Sequence, residues 1–180
     1  MRSFRFCPYC GEQYNNDQIE SQHKHCEQCG KWVFENLKAT GSAVVIMDNK
    51  LLLVKRGIDP FKGKWDVPGG FSEPQEHPEE TTLREVKEEL GVDAEIVKLW
   101  GVYSPVPYTY QGYTQHNCDL YYQVKLKSTN IKVGDDAVGY QWFDLNNLPD
   151  DEDVAFMSAK KLIQELKSGT SKEAVTNSPE

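Results

Sequence analysis

Gly70-Phe-Ser-Glu-Pro-Gln-Glu76-His-Pro-Glu-Glu-Thr-Thr-Leu-Arg84-Glu85-Val86-Lys87-Glu88-Glu89-Leu90-Gly91-Val92 is the stretch on which the fold turns. A helix is expected from about Pro78 to Leu90, with proline in its first turn and Gly91 just past its end, where each residue is favoured. Leu83, Val86 and Leu90 recur at i, i+3 and i+7 and form one apolar stripe. Glu85, Glu88 and Glu89 fall at i, i+3 and i+4, so their carboxylates share a face, which we place opposite that stripe. Three anions there repel by roughly a few tenths of a kcal/mol per pair. Glu88 and Glu89 also stand in the last turn, where the helix dipole disfavours negative charge. Local stability alone would put Lys or Arg there. A divalent cation removes the conflict, and carboxylate oxygens suit magnesium or manganese. A solvated acidic face is the plainer reading of the same residues.

Working outward, Ala43–Met47 and Leu51–Lys55 are apolar runs separated by Asp48-Asn49-Lys50, which reads as a β-hairpin. A loop rich in Gly and Pro follows from Gly57 to Pro74. Strands are expected at Ala94–Tyr103, Cys118–Lys127 and Tyr140–Phe143, and a second helix at Val154–Leu166. The Ser/Thr/Lys/Glu-rich tail, residues 168–180, reads as disordered. Strands flanked by two helices give a mixed α/β (α+β) domain.

Residues 1–36 have a different texture, rich in Cys, Gln, Asn and His and poor in aliphatic side chains. Such a segment needs a staple. Cys7-Pro-Tyr-Cys10-Gly is followed, after 15 residues, by Cys26-Glu-Gln-Cys29-Gly. Two such pairs aim four sulfurs inward and fit structural zinc, with Cys7, Cys10, Cys26 and Cys29 as ligands. The competing readings are two disulfides and redox use of one pair; the fifth cysteine and the absence of any sign of secretion weigh against the disulfides. Four thiolates fill the tetrahedron, so this zinc leaves no position open for catalysis. His23 and His25 read as surface residues and Cys118 as a small buried hydrophobe.

A chain of 180 residues holds one domain of about 140 residues plus that appendage. No stretch reaches the roughly 20 apolar residues needed to cross a bilayer, and the N-terminus lacks the apolar core of a signal peptide. The expectation is a cytoplasmic protein with no membrane partner. The formal net charge is −8, and residues 1–40 balance Arg2, Arg5, Lys24, Lys31 and Lys38 against Glu12, Asp17, Glu20, Glu27 and Glu35. That argues against nucleic acid as the main partner, though not against a nucleotide.

The Gly70–Val92 segment resembles the Nudix box: Gly, five residues, Glu, seven more, then Arg-Glu, an aliphatic residue, any residue, Glu-Glu, any residue, Gly and an aliphatic residue. Gly70, Glu76, Arg84, Glu85, Val86, Glu88, Glu89, Gly91 and Val92 fill those positions. The similarity runs from the hairpin to Trp142-Phe143 and Leu148-Pro149, roughly residues 40–167. It implies a mixed sheet sandwiched between helices, carrying an N-terminal zinc ribbon, and the hydrolysis by water of a nucleoside diphosphate linked to some other group. By the same resemblance, Glu85, Glu88 and Glu89 are ligands of magnesium or manganese, with the Gly70 carbonyl as a further one. Arg84 orients the carboxylates, and Glu76 either binds metal through water or organises the loop. For the general base the resemblance offers Glu88 or Glu89 first, and the loop acids Asp135 and Asp136 second. Arg56, at the end of the hairpin, is a candidate diphosphate contact.

Some zinc-ribbon Nudix proteins hydrolyse reduced nicotinamide dinucleotides and carry Ser-Gln-Pro-Trp-Pro-Phe-Pro after the box. Here Gly101-Val-Tyr103-Ser-Pro-Val-Pro-Tyr108-Thr-Tyr110-Gln-Gly-Tyr113 stands in its place, so the ribbon alone does not imply that activity. Tyr108, Tyr110 and Tyr113 either form a stacking platform for a base or lie at a homodimer contact, an assembly common in the family. The leading substrate is a small nucleotide, ADP-ribose or a related ADP-sugar, with a dinucleotide or nucleoside triphosphate next. A non-catalytic nucleotide-sensing module is the alternative of another class, but such proteins often lose the Arg-Glu…Glu-Glu core retained here.

Overall fold

The structure is a computed structural model describing residues 4–21, 23–134 and 136–169. The expected disordered tail lies, apart from Ser168 and Gly169, outside the described residues, as does Asp135. No helix among the described residues is long and apolar enough to cross a membrane.

The N-terminal segment folds as two Cys-bearing turns around a short helix, α1 (Asn16–Glu20), and a two-stranded antiparallel sheet, β1 (His23–His25) and β2 (Trp32–Phe34). Asn15 and Gln18 close a reciprocal capping box on α1, satisfying two amides that a five-residue helix leaves open. Its buried cluster is its own: Cys7, Tyr14 and Cys26, with Ile19 and Cys29 packed against them.

The remaining strands are β3 (Lys38–Val44), β4 (Ile46–Met47), β5 (Lys50–Arg56), β6 (Trp65–Asp66) and β7 (Gly69–Phe71) before helix α2 (Pro78–Leu90). After it come β8 (Ala94–Tyr110), β9 (Tyr113–Leu126), β10 (Ala137–Asp144), a 3-10 turn (Asp151–Asp153) and α3 (Met157–Lys167). One mixed sheet runs β7-β3-β9-β8, with β3 and β9 parallel; a second, antiparallel, runs β10-β5-β4, with β6 also on β5. Ala43, Val45, Leu52 and Val54 pack with Val86 and Leu90 of α2. Val44, Leu51 and Leu53 pack with Leu162 and Ile163 of α3. Strand β5 is thus covered on both faces, which explains the unbroken Leu51–Val54 run.

The Asp48-Asn49 turn joins β4 to β5, with both residues at positive φ (49° and 59°), the two-residue hairpin turn that matches strand twist. The expected first hairpin strand is divided, however, because Ala43 and Val44 belong to β3 in the other sheet. Helix α2 has the expected ends. His77 and Glu80 form a capping box, and Gly91 closes the helix at φ 67° with its amide on the Lys87 carbonyl at 3.0 Å.

Four expectations are corrected. The second helix starts at Met157, not Val154, since the chain first makes the 3-10 turn and then caps at Phe156. The strand expected to end at Tyr103 continues to Tyr110 and pairs with β9, a register shift between Tyr103 and Val106 absorbing Ser104-Pro105. Cys118 is half-buried, because β9 turns Asn117, Asp119 and Tyr121 inward instead. The acidic face is not opposite the stripe: Glu89 lies three residues beyond Val86, beside it, and is only 8% exposed, whereas Leu83 is half-buried.

Candidate active site and cysteine cluster

A cleft of about 590 Å³ opens above β7, β3 and β9, closed on one side by α2 and on the other by the start of α3. Arg84, Glu85, Glu88 and Glu89 of α2 line it, with Gly69, Gly70 and Phe71 of β7. Arg84 is the organising cation. Its Nη1 donates to Glu85 at 2.7 Å and to Glu88 at 3.0 Å, its Nε to Glu76 at 2.9 Å, and its Nη2 to the Phe71 carbonyl at 3.1 Å. The planar fork thereby ties helix to loop. Glu76 also accepts from Thr81 Oγ1 and from the Glu73 amide. The Arg84 guanidinium and these donors pull its carboxyl down to about 2.

Glu89 is held differently. Its Oε2 accepts from the Gly69 amide at 3.2 Å. Burial, with the Glu85 and Asp66 carboxylates close by, pushes its carboxyl well above the usual range. Gly70 stands directly against Glu85: any Cβ there would run into the Glu85 carboxylate. Glycine at 70 therefore leaves Glu85 in its place beside Arg84, from which a larger residue would push it.

Arg56, at the end of β5, lines the same cleft. It donates to the Pro60 carbonyl at 2.9 Å, lies 3.8 Å from Asp66 and stacks 4.8 Å from the Phe156 ring centroid. Asp136 lines the cleft from the loop before β10; its carbonyl takes the Gly57 amide at 2.6 Å, and Gly134 donates to the Glu89 carbonyl. Of the three tyrosines singled out in the sequence, Tyr108 joins an aromatic wall with Phe71 (5.4 Å, edge-on) and Phe156 (5.8 Å, 27° apart). Tyr110 and Tyr113 face each other at the exposed hairpin tip and do not line the cleft.

Several lining residues have no counterpart among the sequence candidates: Asp66, Asn117, Asp119, Phe156 and Ser158. Asp66 and Asp119 are buried acids. Burial raises Asp66 to about 7 against the pull of Arg56, and it raises Asp119 as well. The usable signal was the alternation Asn117, Asp119, Tyr121, whose polar members a half-buried strand would ordinarily turn to solvent.

In the N-terminal segment, the Sγ atoms of Cys7, Cys10, Cys26 and Cys29 lie within 4.8 Å of one another, with Cys7–Cys29 at 3.7 Å and Cys10–Cys26 at 3.6 Å. Tetrahedral zinc with bonds of about 2.3 Å requires sulfurs about 3.8 Å apart; a disulfide requires about 2.05 Å. The turns are equivalent. Cys7 and Cys26 each accept a glycine amide, from Gly11 and Gly30, and both glycines have positive φ. The buried Tyr14 hydroxyl faces the Cys7 sulfur and has no hydrogen-bond partner of ordinary length among the described residues. Such an orphan is what a thiolate acceptor satisfies. The donor set and spacing fit zinc. His23 and His25 take no part: they pack against Phe34 and Trp32.

Residues 37–166 match the family model of the NUDIX domain. The chain belongs to the Nudix family. Helix α2 and the loop before it are accordingly its Nudix box, and the cleft sits on the box. An ADP-ribose pyrophosphatase of Methanocaldococcus jannaschii is 42% identical over 106 residues, covering 59% of this chain and 61% of that protein. A Vibrio atlanticus NAD-capped RNA hydrolase NudC is 31% identical over 165 residues, covering 91% of this chain and 57% of that one. The chain thus spans about three fifths of these curated relatives. A NUDIX hydrolase crystal structure from Nitrosomonas europaea superposes with a TM-score of 0.72 at 25% identity, covering 92% of both chains.

Proposed function

We propose that this Nudix protein is a divalent-metal-dependent pyrophosphohydrolase that cuts the diphosphate linkage of ADP-ribose or a related ADP-sugar. The observation that carries the reading is the joining, in one cleft, of an Arg84-bound set of box carboxylates to an aromatic wall. The naming of the M. jannaschii relative supports the substrate class. The box carboxylates are held by Arg84 and the Gly69 amide. Their fit to a cation rests on hard oxygen donors, a buried Glu89 facing other acids, and a glycine cradle at position 70.

Glu85, Glu88, Glu89 and the Gly70 carbonyl would hold magnesium or manganese. When bound, the metal neutralises charge on the diphosphate oxygens and lowers the pKa of a water. Arg84 fixes the carboxylates. Arg56, rigid through Pro60 and Phe156, donates to the diphosphate. Glu88, the most exposed box carboxylate, or Glu89 takes the proton of the attacking water, with Asp136 the loop alternative. The N-terminal cluster holds structural zinc, and cysteines kept as metal thiolates instead of disulfides suit a reducing compartment such as the cytoplasm.

Gly70→Ala should displace Glu85 and weaken magnesium affinity about 10–100-fold, read by titrating activity against metal; unchanged affinity would remove Gly70 and Glu85 from the site. The function itself is tested by incubating the protein with ADP-ribose, NADH, FAD, diadenosine polyphosphates and nucleoside triphosphates. ADP-ribose should yield AMP and ribose 5-phosphate, and a Glu88→Gln/Glu89→Gln variant should yield neither. Preference for NADH would move the reading to a dinucleotide substrate. Tight nucleotide binding without turnover would replace it with a regulatory module.

A further inference from the structure

Two strands away from the box, the floor of the cleft is polar where it faces the aromatic wall. Register places Phe71, Thr40 and Asp119 in one row across β7, β3 and β9. Asp119 therefore lies about 10 Å from Phe71, and Gly69, two residues before Phe71, anchors Glu89. That separation suits a nucleoside 5′-phosphate lying along the cleft with its phosphate at the box and its base over β9. Phe71, Tyr108 and Phe156 offer the base a stacking surface, which tolerates any base because each has a π face. Identity has to come from the floor.

Asp119 is 7% exposed and Asn117 5% exposed, both on the inward face of β9 and both lining the cleft. Thr40 Oγ1 donates to Asp119 Oδ1 at 2.9 Å, and Ser158 also lines the cleft. The Thr40 hydroxyl uses Asp119 as an acceptor. Asn117 has its oxygen taken by Gln115 Nε2 at 3.3 Å, which leaves its amide nitrogen as the group to offer a ligand. The floor thus presents an acceptor and a donor two residues apart on the inward face of β9.

We infer that Asp119 and Asn117 read the Watson–Crick edge of an adenine, Asp119 accepting from the N6 amino group and Asn117 donating to N1. The assignment rests on the proposed hydrolysis of an ADP-linked compound and names the feature that makes the adenosine half specific. Hypoxanthine and guanine reverse the pattern, setting O6 against the carboxylate and an N1–H against the amide. Buried acceptors set face to face leave both unsatisfied, which discriminates against the wrong base by on the order of 10–100-fold.

The test is equilibrium binding of AMP and IMP to the full chain with magnesium, by titration calorimetry, with no turnover needed. The unmodified protein should bind AMP about 10–100-fold more tightly than IMP. Asp119→Asn, which keeps the shape and an acceptor for Thr40, should bring the ratio near one. The double variant Asn117→Asp/Asp119→Asn exchanges donor and acceptor and should prefer IMP. If Asp119→Asn unfolds on a thermal melt, Asn117→Asp alone serves, since it sets a second acceptor against N1 and should cost AMP more than IMP. Equal affinity for AMP and IMP in the unmodified protein overturns the inference. So does an equal loss for both nucleotides in Asp119→Asn, because that is the signature of a merely structural carboxylate. Failure to hydrolyse ADP-ribose, with the AMP preference present and lost in Asp119→Asn, sinks the substrate reading and leaves the adenine site standing.

Discussion

A Glu89→Gln substitution is expected to lower kcat/KM on ADP-ribose by about 10²–10⁴-fold while raising the melting temperature of the metal-free protein. Glu89 is 8% exposed, and the acids nearest it are Glu85 and Asp66. The Gly69 amide and the Arg56 charge are its favourable partners, and a glutamine oxygen can keep the first. A buried anion beside two other acids opposes folding, and Gln removes that charge without changing volume. Relief of even about 1 kcal/mol moves the midpoint by about 2–4 °C in a domain of this size. Magnesium should invert the order, because a ligand bound to the native state stabilises the unmodified protein and leaves the variant where it was. Thermal melts with EDTA and with magnesium, beside the rate, read all three effects. A variant less stable in EDTA would show that Glu89 is a structural acid; one that keeps its turnover would remove it from the chemistry. The stabilisation sought here is the usual counterpart of an active-site charge held against local preference.

What could be read in advance divides along the range of the interactions. Helix α2 has the ends the sequence indicates because Pro78, the His77–Glu80 box and Gly91 are local instructions. The Asp48-Asn49 turn and the paired Cys-Cys-Gly turns are local in the same sense. Glu89 was misplaced since a wheel drawn on Leu83, Val86 and Leu90 ignores β7, which buries the flank on which Glu89 lies. The floor of the cleft showed locally only as the Asn117, Asp119, Tyr121 alternation, and its partners were not legible. Thr40 and Asp119 are 79 residues apart and meet through the parallel pairing of β3 with β9, a pairing no local pattern announces. Pro105 and Pro107 hid the outer half of β8, because proline ordinarily demotes a strand, and the register shift that accommodates them is a tertiary fact. Phe156 belongs to the wall for a similar reason: the 3-10 turn delays α3 and leaves that ring at the helix start, against Arg56 and Tyr108.

Removing the proposed zinc from the N-terminal cluster should unfold the two Cys-bearing turns with α1, β1 and β2, and leave the Nudix domain folded. Structural zinc contributes about 10–16 kcal/mol to small cysteine-bound modules, and this one has little else. Its buried cluster consists of two cysteines and Tyr14, with Ile19 and Cys29 partly buried. The Lys24–Glu35 pair at 2.8 Å adds one partly buried ion pair, which alone does not hold a fold. The Nudix cores instead rest on Val44, Leu51–Val54, Val86, Leu90, Leu162 and Ile163, none of which touches the cysteines' cluster. Cys26→Ser, which removes the more buried sulfur of its pair, should therefore abolish the one equivalent of zinc binding that the proposed site requires. It should also erase amide-exchange protection across the hairpin from His23 to Phe34. The main thermal transition should keep its midpoint within about 1 °C, the shift expected if the two cores are energetically independent. Loss of protection in α2 as well would mean that the ribbon supports the box. Retained protection in the hairpin after metal loss would mean that packing of Tyr14 and Ile19 suffices, and the cysteines would then need another explanation.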